Sequence, residues 1–144
     1  MAHAIVLDRP RVAPGGLCDR VALLDVRTSP NRAIFWSGVD AAYAEELART
    51  LGGETIGAVM SLRGVVLPPS APGEEAEDAW AMLSARFAVA CSGEVRVILP
   101  MDYDLATLNF WTLIERPLLE RNPRVTRIIR IEAPTRITVT IFER

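Results

Sequence analysis

Residues 110–123 read Phe-Trp-Thr-Leu-Ile-Glu-Arg-Pro-Leu-Leu-Glu-Arg-Asn-Pro, and they set one carboxylate, Glu115, behind a mostly apolar run and directly ahead of Arg116-Pro117. A carboxylate in apolar surroundings either has an ion-pair partner or is kept for chemistry. Arg116, Arg121 and Arg124 are the partners the sequence offers. Working outward, a second dense stretch over 80–97 reads WAMLSARFAVACSGEVRV, and further back stands Phe35-Trp36-Ser37-Gly38. We expect Trp36, Trp80 and Glu115 to meet in one pocket. Taken singly, each has a structural rival: the tryptophans as core or rim residues, the glutamate as half of an ion pair.

The chain has 144 residues, half of them hydrophobic, which suits one domain with a real core. A net charge of -2 gives no reason to expect nucleic acid as a partner. No apolar run reaches the roughly 18 to 20 residues that a bilayer requires, so no membrane is expected. The N-terminus, MAHAIVLDRPRV, lacks the pattern of a signal peptide. Two cysteines, Cys18 and Cys91, are too few for a disulfide scaffold and read as buried thiols. The missing residues narrow the chemistry further. There is no lysine, so Schiff-base and P-loop lysines are out. The single histidine, His3, lies at the terminus, which argues against a His-dependent nucleophile or a His-ligated metal. Carboxylates, hydroxyls, arginines and aromatic rings remain, and glycosidic chemistry needs no more than these.

Residues 1–32 are weakly patterned and read as a lead-in arm or linker remnant, in which 21–27 suits either a short strand or a helical turn. Residues 33–144 read as a single domain. Within it, Asp40 caps a helix that Gly52-Gly53 stops, with Ala41, Ala44, Leu47, Ala48 and Leu51 as its buried face. Residues 55–67 are ambiguous between strand and helix, and 68–73 are a loop. A long helix over 74–90, acidic in its first turns, puts Trp80 and Ser84 on one face. Strands follow at 94–99, 125–131 and 136–142, the last free of charge over 137–141 and suited to an edge or to pairing with another chain. The fold expected is α/β (α+β-like): a helical N-terminal half packed on a small, mostly parallel C-terminal sheet. Asp102 and Asp104 read as an acid/base dyad, a weak cation site or, more simply, a solvated loop.

Three of these segments together resemble the ADP-ribosyl cyclase and NAD glycohydrolase family, in particular its bacterial polymorphic-toxin branch. Phe35-Trp36-Ser37-Gly38 with the following helix, Trp80-Ala-Met-Leu-Ser84-Ala-Arg86-Phe87-Ala88, and Phe110-Trp111-Thr-Leu-Ile-Glu115 with Pro117 and Asn122-Pro123 carry the likeness, in order, over roughly residues 33–132. The resemblance implies an enzyme that cleaves NAD, or NADP, at the nicotinamide–ribose bond. NAD is then the substrate, with no cofactor and no metal. It implies Glu115, Trp80 and Trp36 as the catalytic set, and Ser37, Ser84, Arg86, Phe110 and Trp111 as substrate-binding residues. Cation–π attraction of roughly 0.5 to 2 kcal/mol would hold the charged nicotinamide ring between tryptophans. It also implies a bacterial toxin domain acting in the cytoplasm, carried there by a secreted protein and neutralised by an immunity protein. One departure stands out. The family has a second acid in a Thr-Leu-Glu segment, where this chain reads Thr55-Ile56-Gly57. That glycine bears on hydrolysis against cyclisation, and favours the alternative of a catalytically degenerate domain that binds a nucleotide or a protein. A chance match on an unrelated α/β interaction domain is the third alternative.

Overall fold

The computed structural model describes residues 17–65, 74–103 and 109–144. His3, the loop over 68–73 and Asp104 lie outside them. The frame is a four-stranded sheet in the order β1 (Ile34–Trp36), β2 (Gly93–Pro100), β3 (Val125–Ala133), β4 (Thr138–Glu143). β1, β2 and β3 run parallel, and β4 closes the edge antiparallel to β3. Among the described residues three helices lie between β1 and β2: α2 (Ala41–Thr50), α3 (Ile56–Leu62) and α4 (Glu74–Ala90), while α1 (Leu17–Ala22) precedes β1. The mixed, mostly parallel architecture expected is the one observed. The sheet also takes its first strand from the N-terminal half, the apolar triplet Ile34–Trp36.

Alternation along the strands divides the interior in two. Phe35, Val95, Val97, Leu99 and Ile128 face α1 and α4 and form the larger core with Leu83, Phe87 and Trp111. Ile34, Ile98 and Ile131 face the other way and pack under Ala44, Leu47 and Ala48 of α2. With both faces covered, β2 is continuously apolar and buried over 97–99, as central parallel strands are, after a first half in which Glu94 and Arg96 flank Val95. β4 has one neighbour and is largely exposed, which fits its edge position.

Local chemistry explains the helix boundaries. The Asp40 carboxylate accepts from the Tyr43 amide and starts α2. The helix ends before Gly52 and Gly53, and Gly53 admits no side chain: a Cβ there would lie 2.2 Å from Ile34 Cδ1. Ala41 and Leu51, expected on the buried face, are exposed because they sit at the two ends of α2, beyond the reach of the sheet. The ambiguous stretch after Thr55 is a helix because the Thr55 hydroxyl accepts from the Ala58 amide and caps α3. At the far end of α4, the Asn122 amide is shared among the carbonyls of Ala88, Val89 and Cys91, tying the helix terminus to the start of β3.

The described part of the expected lead-in arm is integral to the core. Cys18 and Val21 of α1 and Val26 beyond it are buried against α4. A six-residue helix with two small apolar residues three apart gives little periodic signal, yet it covers one flank of α4. Cys18 and Cys91 are buried thiols, and burial pushes Cys91 up to about 12, far from a nucleophilic thiolate.

Candidate active site

Two breaks in regular structure create the site. At the end of β1 the chain leaves the sheet through Ser37, whose amide still donates to the Ile98 carbonyl, and this exposes Trp36 at the sheet's rim. After β2, the chain returns through a π-helical turn over Trp111–Glu115, which passes into α5 (Arg116–Arg121). The Arg116 amide reaches back five residues to the Trp111 carbonyl. Pro117 supplies the reason: it has no N–H for the Leu113 carbonyl, and its ring would crowd that carbonyl in an ordinary helix. The wider turn relieves both problems and swings Glu115 inward.

Between these breaks lies a cleft of about 520 Å³, walled by Trp36, Trp80 and Phe110 and with Ser37, Ser84, Glu115 and Glu45 among its polar groups. Such a volume suits a nucleotide-sized ligand. Glu115 is 7 % exposed. Burial pushes its carboxyl up to about 8, and a hydrogen bond from the Ser84 hydroxyl offsets this only in part. The ion-pair alternatives are not realised among the described residues. Arg116 pairs with Glu120 at 2.8 Å, and Arg124 donates to the Val89 carbonyl.

The sequence-predicted residues divide clearly. Trp36, Ser37, Trp80, Ser84, Phe110, Trp111 and Glu115 all border the cleft. Trp111 does so from within the core: it is 1 % exposed and its ring packs on Phe35 at 6.0 Å. Ser84 faces Glu115, so it acts on the carboxylate. Arg86 is a correction. Two residues past Ser84 on α4, it points to a different side of the helix, where its guanidinium donates to the Val21 carbonyl at 2.6 Å. It therefore anchors α1 and does not face the cleft.

Glu45 was missed. From α2 its carboxylate accepts from Trp36 Nε1 at 3.0 Å and from the Thr55 hydroxyl at 2.6 Å. Its Oε2 lies 3.3 Å from where a Cβ on Gly57 would stand. Gly57 thus leaves room for a carboxylate arriving from α2. Sequence offered one faint sign, an acid on the inner half of α2, nine residues after Trp36. Among the described residues no three His, Cys, Asp or Glu side chains cluster as metal ligands, and no helix is long and apolar enough to cross a membrane.

No protein-family model matches the chain, and no curated protein matches it. Solved structures do. The Aplysia cyclase complexed with substrate NGD and product cGDPR superposes with a TM-score of 0.60 at 21% identity, over 81% of this chain and 58% of that one. ADP ribosyl cyclase complexed with N1-cIDPR gives 0.59 at 23% identity, over 79% of this chain and 54% of that one. A glutamate-to-alanine mutant of ADP-ribosyl cyclase gives 0.57 at 20% identity, over the same shares of 79% and 54%. The chain spans little more than half the length of these proteins. At this level of identity the likeness is one of architecture, and the chain has the fold of the ADP-ribosyl cyclases.

Proposed function

We propose that the chain cleaves NAD at the nicotinamide–ribose N-glycosidic bond, releasing nicotinamide and yielding ADP-ribose, cyclic ADP-ribose or both. The observation that carries this reading is a buried carboxyl, Glu115, without a cationic partner among the described residues, in a cleft walled by two tryptophans. NAD brings the missing positive charge on its pyridinium ring. The bond between ribose C1 and the ring nitrogen breaks with its electron pair going to the nitrogen, so nicotinamide leaves neutral and no general acid is required. Positive charge then develops on the ribose, and an ionised Glu115 in a dry cleft stabilises it. Trp36 and Trp80 hold the ring by stacking and cation–π attraction. Ser84 orients Glu115. Water attacking C1 and losing a proton gives ADP-ribose; attack by an adenine nitrogen gives the cyclic product. The shared fold supports the reading, since one cyclase with that fold is complexed with substrate NGD and product cGDPR and another with N1-cIDPR.

The test is nicotinamide release from NAD by the purified chain beside Glu115→Gln. Release by the parent and a loss of about a hundredfold or more in the variant is the expected result. No release by folded parent protein overturns the reading. As part of the same proposal, the domain is a bacterial NAD-depleting toxin with an immunity protein as partner. Growth arrest on its expression, relieved by Glu115→Gln, is expected on that account.

A further inference from the structure

Glu45 has no place in the mechanism above, yet both oxygens of its carboxylate are held inside the cleft. Its two oxygens take hydrogen bonds from two different elements, Trp36 at the end of β1 and Thr55 at the start of α3. Thr55 is itself fixed, being 1 % exposed and accepting from the Ala58 amide. A chain of hydrogen bonds therefore runs from the first turn of α3 through Thr55 and Glu45 to the indole of Trp36. Neither donor to Glu45 is a cation. Glycine at residue 57 leaves the carboxylate unhindered: a Cβ there would stand 3.3 Å from Oε2, a tight contact.

We infer that Glu45 is a positioning residue that fixes the plane of Trp36 and, by drawing on its N–H, makes the indole face more negative toward a cationic ring. Resting on the NAD-cleaving reading, this adds a specificity element: the carboxylate behind Trp36 makes the cleft prefer a charged pyridinium over a neutral ring of the same shape. Two physical effects act in the same direction. A hydrogen bond to a carboxylate polarises its donor more than one to a neutral acceptor, and the attraction between a ring face and a cation grows with the electron density of that face. Gly57 and Glu45 form a matched pair in which the absent side chain at one position admits the carboxylate from the other.

Binding of NAD and of NADH separates charge recognition from shape, because NADH carries a neutral ring. In a Glu115→Gln background, which prevents turnover, both are titrated against Glu45→Gln, Trp36→Phe and the double variant. Glu45→Gln keeps the side chain's size and, with its oxygen toward the indole, an acceptor for Trp36; it removes the charge and turns an amide N–H2 donor toward Thr55. We expect it to weaken NAD about tenfold and NADH less than about twofold, with the NAD effect largely gone in the Trp36→Phe background, which lacks the indole N–H. Equal weakening of both ligands would mark Glu45 as a structural residue and overturn the inference, as would an undiminished effect without the indole. Binding of NAD unaltered by Glu45→Gln overturns it too and leaves the NAD-cleaving reading standing. Failure of the unsubstituted chain to bind or cleave NAD overturns both.

Discussion

Replacing Glu115 by glutamine should abolish the proposed chemistry and, at the same time, stabilise the fold in a pH-dependent way. Burial raises the Glu115 pKa from 4.5 to about 8. Between those values the unfolded chain has lost the proton and the folded chain keeps it. The folded state thus binds more protons, so stability is greatest below about pH 4.5 and falls as pH rises toward about 8. At about 1.4 kcal/mol per pKa unit, the burden on the parent is about 3 kcal/mol near pH 7 and approaches about 5 kcal/mol above about pH 9. Exposure is slight, so solvent screening removes little of it. Glutamine has the same shape, remains neutral and can still accept from Ser84. Urea unfolding followed by far-UV circular dichroism at about pH 4, 7 and 9 is the assay. The gain from Glu115→Gln should be near zero at the lowest pH and grow with each step. A difference that does not change with pH would refute the assignment of a buried carboxyl without a cationic partner to this position.

Two further outcomes follow from the same geometry. If the ionised form of Glu115 is the working one, kcat/KM for nicotinamide release should climb with pH through an inflection at about 8, as a pH–rate profile over about pH 5 to 10 would show. Arg86→Ala should leave kcat/KM within about twofold while lowering unfolding stability by about 1 to 2 kcal/mol, because its guanidinium holds the Val21 carbonyl outside the cleft.

What the sequence made legible was local or periodic. Asp40 and Gly52-Gly53 bracket α2, acidic residues open α4, and the strands announce themselves by apolar runs and alternation. Trp80 and Ser84, four apart on a helix, necessarily share a face, so half the cleft wall could be drawn in advance. The same rule, applied to Ser84 and Arg86, would have turned Arg86 away from the site. The π-helical turn also had a cue in Pro117, four residues past Leu113. Other features had no cue of that kind. β1 is three residues long and gains its identity only from pairing with β2. α1 becomes core only through α4. Glu45 matters because residues 36, 45, 55 and 57 converge, and no spacing along the chain encodes that convergence.

Two of the cleft's carboxylates, Glu45 and Glu115, are held so differently that a division of labour follows from energetics. Glu45 takes hydrogen bonds from both the Trp36 indole and the Thr55 hydroxyl, whereas among the described residues Glu115 has the Ser84 hydroxyl alone. Without ligand, ionising Glu115 in the folded protein at about pH 7 costs about 1.4 kcal/mol, about one pKa unit, and the proton mostly stays on. A unit positive charge about 4 Å away is worth about 4 kcal/mol at an effective dielectric of about 20. On the proposed reading, arrival of the pyridinium ring is therefore sufficient to expel that proton. The carboxylate appears when the cation does, with the ring braced by an indole that Glu45 holds. A neutral ring would find Glu115 protonated and would gain nothing from it. Discrimination for the charged ring then arises at both walls of the cleft, from burial on the Glu115 side and from a fixed hydrogen bond on the Trp36 side.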